Sequence, residues 1–133
     1  MVSALLDAEP LRAATWWTKP EVPTTTASTT VGCWDSSLGK PGAVEIATSG
    51  TWDGKTIGLE GMAEPEGNHA KIGVSPGTHT YSIFGDMNQQ GSLSGPNCKS
   101  SQNGRGGLFY VVDDAKLFGS LRDLIKCDTA PAP

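Results

Sequence analysis

The sequence predicts an α+β domain: an antiparallel sheet of about five strands, made largely of β-hairpins, with one C-terminal amphipathic helix packed on it. Three stretches carry this expectation. Two have the alternation and turn residues of hairpins, and the third runs from an apolar strand straight into a helical pattern.

The third stretch, Gly106 to Cys127, organises the rest. Leu108-Phe109-Tyr110-Val111-Val112 has the aromatic and β-branched composition of a buried strand. After Asp113-Asp114, apolar residues recur at Leu117, Phe118, Leu121, Leu124 and Ile125, on one helical stripe. Lys116, Ser120, Arg122, Asp123 and Lys126 fall on the opposite side. An aspartate at the helix start suits the cap and the positive end of the helix dipole.

The chain in order begins with a weak helical pattern over Ser3 to Ala14, which Pro10 interrupts. Trp16-Trp17 follow, and then a Pro/Thr/Ser stretch, KPEVPTTTASTT, without periodicity. Residues 1–30 therefore read as an arm or linker, dispensable for folding, in front of a single β-rich domain over 31–127. Residues 128–133, DTAPAP, read as a disordered, exposed tail.

Within the domain, Val44, Ile46 and Thr48 alternate as a half-buried strand. Asp53-Gly54 is a two-residue hairpin turn, because both positions tolerate positive φ. Pairing Trp52 with Lys55 sets Gly50 opposite Ile57 and Thr48 opposite Leu59. A second hairpin over His69 to Phe84 is expected to turn at Pro76-Gly77, opposing Val74 to His79, Ile72 to Tyr81 and Ala70 to Ile83. Gly85 to Gly107 is a long polar segment, with at most a short strand near Leu93, and segments of that length are often functional.

Composition narrows the function classes. A chain of 133 residues is one domain able to bury a core without metals or several disulfides. The 10 basic residues are scattered and outnumbered by 14 acids, so no phosphate-binding face is expected and no nucleic-acid partner. No apolar run is long enough to span a membrane. The opening Met-Val-Ser-Ala-Leu-Leu-Asp turns acidic too soon for the apolar core of a secretory signal. Abundant Gly, Ser and Thr suit a turn-rich protein of a secreted or virion surface. Cys33, Cys98 and Cys127 match no zinc spacing. Cys98 with Cys127 is the expected disulfide, since a helix running back along its strand returns its end to the strand's start; three unpaired thiols in a reducing compartment is the alternative.

No catalytic constellation emerges. His69 and His79 have opposite parity on their hairpin and cannot share a ligand, so no metal is expected. Asp113-Asp114 are better read as a helix cap than as an acid–base pair. Ser92 and Ser94 miss the glycine spacing of a nucleophile elbow, and Gly104-Arg105-Gly106-Gly107 precedes a strand, not the helix a phosphate loop requires. No cofactor is implied.

Candidate contacts for a partner are Trp16 and Trp17, together with Asn88, Gln89, Gln90, Asn103 and Arg105 in the long polar segment. Gly50 to Gly61, with Pro76-Gly77-Thr78-His79-Thr80-Tyr81, resembles the hairpins of small bacteriophage virion proteins over less than a third of the chain; size and composition resemble small secreted effectors of fungi. The expected function is a non-catalytic binding or assembly module on an extracellular or virion surface, acting on a protein partner or by self-assembly. A small secreted effector or toxin acting on a host target is the alternative, and a hydrolase a distant third.

Overall fold

The computed structural model describes residues 1–17, 22–32, 34–61, 67–86 and 107–133. Its elements are a short helix α1 (Val2–Leu5), strands β1 (Leu11–Ala14), β2 (Val44–Ile46), β3 (Ser49–Trp52), β4 (Lys55–Gly58), β5 (Ile72–Val74), β6 (Tyr81–Gly85) and β7 (Phe109–Asp113), and helix α2 (Ala115–Leu124). The α+β class stands. A five-stranded sheet has the order β2-β1-β5-β6-β7, and β3-β4 form a separate two-stranded sheet.

The larger sheet is mixed rather than purely antiparallel. Strand β1 runs parallel to β2, with Leu11 beside Val44 and Ala13 beside Ile46. Parallel pairing needs a long crossover, and the residues between Ala14 and Val44 supply it.

The N-terminal stretch differs most from the expected free arm. Strand β1 lies between β2 and β5, inside the sheet. Beyond it, Thr25 and Val44 exchange backbone hydrogen bonds of 2.9 and 3.1 Å, and the Ile46 amide donates to Thr24 Oγ1. Val22 is buried. The C-terminal residues are likewise bound in, because the Ala130 amide donates to the Ile46 carbonyl and Ala130 is buried; residues 131–133 are exposed.

Both faces of the inner strands are covered. On one, Ala14, Val74, Leu121 and Ile125 close a core with Ala47 and Leu59. On the other, Ile46 packs with Trp17, Val22 and Ala130. Helix α2 touches β3, β5 and β6, and so holds the small sheet against the large one. Gly50 makes that approach possible, since a Cβ there would collide with the Leu124 carbonyl.

The first hairpin has the expected register, Trp52 to Lys55 and Gly50 to Ile57, with Asp53 at φ 49° and Gly54 at φ 71°. The second does not. Its register is Ile72 to Phe84, Gly73 to Ile83 and Val74 to Ser82. Ser75 widens the turn: its backbone N–H donates to the Tyr81 carbonyl, its hydroxyl donates to the His79 carbonyl, and it accepts from the Tyr81 amide. The loop is thereby lengthened past Pro76-Gly77, and Ile83 moves to the face opposite Val74.

Helix α2 starts where the sequence places it. Asp114 Oδ1 accepts from the Leu117 amide at 2.7 Å, the N-cap bond. Leu121 and Ile125 are buried, with Phe118 and Leu124 packed at the margin. Leu117 is the exception on the expected stripe: it is 37% exposed, and the main contacts of α2 are with β3, β5 and β6.

Candidate interaction surface

Strand β7 is expected from its composition to be buried, but among the described residues it forms an edge of the sheet. Antiparallel pairing with β6 sets Tyr110 opposite Phe84, Val111 opposite Ile83 and Val112 opposite Ser82. Alternation sends Tyr110 and Val112 toward the helix side and Val111 to the other. Among the described residues both sides are exposed at this strand: Tyr110 is 61%, Val111 41% and Val112 38% exposed. Of the seven exposed large hydrophobics among the described residues, Leu108, Tyr110, Val111 and Val112 are consecutive or nearly so here. The remaining three, Leu5, Trp52 and Leu117, lie on other elements. Isolated apolar residues at a surface need no explanation, but a contiguous set along a sheet edge does.

Both ends of this strand are tied to its inner neighbour. The Leu108 amide donates to Asp86 Oδ1 at 2.8 Å, and Thr80 Oγ1 donates to Asp113 Oδ1 at 2.6 Å. The Phe109 ring lies over Gly85, where a Cβ would clash with it. The edge is therefore held extended before any partner arrives. Usual protections of an edge are a lysine, a proline or a bulge. Phe109 to Val112 contain no lysine and no proline, and their pairing with β6 is continuous.

The expected contact residues separate. Trp17 is buried in the core on the face away from α2, which removes it from any surface. Trp16 is half-buried, its ring 5.7 Å from that of His69. Asn88, Gln89, Gln90, Asn103 and Arg105 lie outside the described residues, as do Cys33 and Cys98. Cys127 is half-buried, with its sulfur 3.0 Å from Thr51 Oγ1.

The histidines have separate surroundings, although neither lies on a strand and the expected hairpin parity does not apply to them. His79 stacks on Tyr81 and its Nδ1 lies 3.0 Å from Glu9 Oε2, while His69 is at Trp16. No group of three or more potential metal ligands occurs among the described residues. No helix among them is long and apolar enough to cross a membrane.

Two buried charges were not anticipated from sequence. Glu9 is buried beside His79. Arg12 is buried in β1 and makes five hydrogen bonds, to the carbonyls of Ile125, Cys127 and Asp128, to Thr129 Oγ1 and to Glu45 Oε2. A charged residue inside a four-residue strand gives no periodic signal, so nothing in the sequence marks it as central. Comparison with protein-family models, with characterised proteins and with solved structures finds no match for the chain.

Proposed function

We propose that the chain is a non-catalytic assembly module of an extracellular or virion surface, and that it assembles by pairing the β7 edge with β7 of a second copy. The observation that carries this reading is the exposed apolar edge itself: Leu108, Tyr110, Val111 and Val112 on a strand with no outer neighbour among the described residues. An edge of this kind offers backbone donors and acceptors to another strand, and apolar side chains add contacts on both faces.

The edge is self-complementary. An antiparallel two-fold pairing centred on Tyr110 sets Leu108 opposite Val112 and Phe109 opposite Val111 of the other copy, the aromatic and β-branched pairs that stabilise sheets. Asp113 then faces Gly107, so the two Asp113 carboxylates sit at opposite ends. One short strand per copy buries less than a standard interface, and the association should be reversible. The surface location rests on composition, in the wealth of Gly, Ser and Thr.

Sedimentation velocity over a range of concentrations tests this, with Val111→Lys as the comparison. The expected result is a dimer that grows with concentration in the parent chain and is lost in the variant. A parent chain that stays monomeric throughout, or a variant that associates equally well, would overturn the proposal.

A further inference from the structure

The sheet face away from α2 contains an apolar cavity of about 160 Å3. Its floor is hollow for a local reason. Ala13 of β1 pairs with Gly73 of β5, so the two central strands present a methyl group and no side chain at all, while Ile83 opposes Gly73 from β6. Val22, Val31 and Trp34 also line it. A hollow of roughly this volume has room for a benzene-sized molecule.

Lys71 is the one charged side chain among the described residues that line this space. The β5-β6 ladder continues through the Gly85 amide to the Lys71 carbonyl, which gives Lys71 the parity of Gly73 and directs it to the cavity face. Its ammonium donates one hydrogen bond, 2.8 Å long, to the His69 carbonyl. An ammonium carries three donors, so it can serve an anion as well. No carboxylate side chain lines the cavity.

We propose that this cavity is a binding site for a small apolar carboxylate, with one ring or a short aliphatic chain in the hollow over Ala13 and Gly73 and the carboxylate at Lys71. Phe109 of β7 is among the lining residues, but the hollow itself lies over β1 and β5 and does not use the outer backbone edge of β7 on which the assembly reading rests. The apolar body supplies the area removed from water, and the Lys71 ammonium selects acid over neutral ligand.

The test is an amide chemical-shift titration of the full chain with benzoate and hexanoate, with benzyl alcohol and hexanol as uncharged controls. Saturable shifts at Gly73 and Ile83, and ligand contacts to the Ala13 methyl group by nuclear Overhauser effect, are expected. Ala13→Met fills the hollow and should abolish binding of acid and alcohol alike; Gly73 is unsuitable for this, because a Cβ there sits 3.1 Å from the Arg12 carbonyl. Lys71→Gln should weaken the acids about threefold to fivefold and leave the alcohols unchanged, the range of a partly exposed ion pair. Absence of saturable shifts, or of contacts to Ala13 in the parent chain, would overturn the site whether or not Ala13→Met folds. Equal weakening of acids and alcohols in Lys71→Gln would overturn the assignment of the carboxylate.

Discussion

Arg12 Nε donates a 2.6 Å hydrogen bond to the Ile125 carbonyl, joining residues 113 positions apart. That carbonyl belongs to the C-cap residue of α2, where backbone acceptors are left over and a cation is favoured. The same guanidinium ties Cys127, Asp128 and Thr129, so one side chain of β1 fastens the whole exit from the helix. Arg12→Ala removes these bonds and leaves several acceptors without a donor. The expected loss is about 3–5 kcal/mol, read by urea denaturation. Glu45→Ala removes one partner whose side chain is 51% exposed, and should cost no more than about 1 kcal/mol. Equal effects would show that the guanidinium serves only the ion pair.

Deletion of residues 2–30 is a second test. Were this stretch a free arm, the truncated chain would melt as the parent does. With β1 in the sheet's interior and Val22 and Trp17 in its second core, truncation should abolish the cooperative transition. A cooperative melt near that of the parent would exclude this role for β1.

The helix gives a graded comparison. Leu121 is buried under α2 and Leu121→Ala should lose about 2–5 kcal/mol. Leu117 is on the same sequence stripe but exposed, so Leu117→Ala should lose less than about 1 kcal/mol. Thermal melts of the two variants distinguish a helix centred on β5 and β6 from one that reaches β7.

Two glycines should fail for different reasons. Gly54 has φ 71° with nothing near its missing Cβ, so Gly54→Val costs conformation alone, about 1–2 kcal/mol. Gly50→Ala instead drives a methyl group into the Leu124 carbonyl and should separate the small sheet from α2. Its chemical-shift changes should extend to the end of the helix, whereas those of Gly54→Val should stay in the hairpin.

What the sequence made legible follows from how local each determinant is. Asp53-Gly54 fixes a turn with two residues, and Asp114 a helix start with one bond to Leu117; both were readable. The second hairpin was not, because Ser75 sets its register through bonds to His79 and Tyr81 that no turn rule contains. Strand β1 was hidden for a related reason. Its four residues, Leu-Arg-Ala-Ala, hold an arginine that becomes acceptable inside only when the far end of the chain folds over it. Burial of the apolar run at β7 was misjudged because composition reports what a strand is made of, not whether it lies at an edge. The candidate surface was thus present in the sequence as residues, but its exposure was a property of the topology.

Hydrogen exchange at β7 tests the assembly account most directly. At low protein concentration the amides of Tyr110, Val111 and Val112 that point away from β6 should exchange quickly. Raising the concentration should protect those amides while leaving β5 and β6 unchanged. Exchange at β7 that is independent of concentration would contradict pairing through this edge.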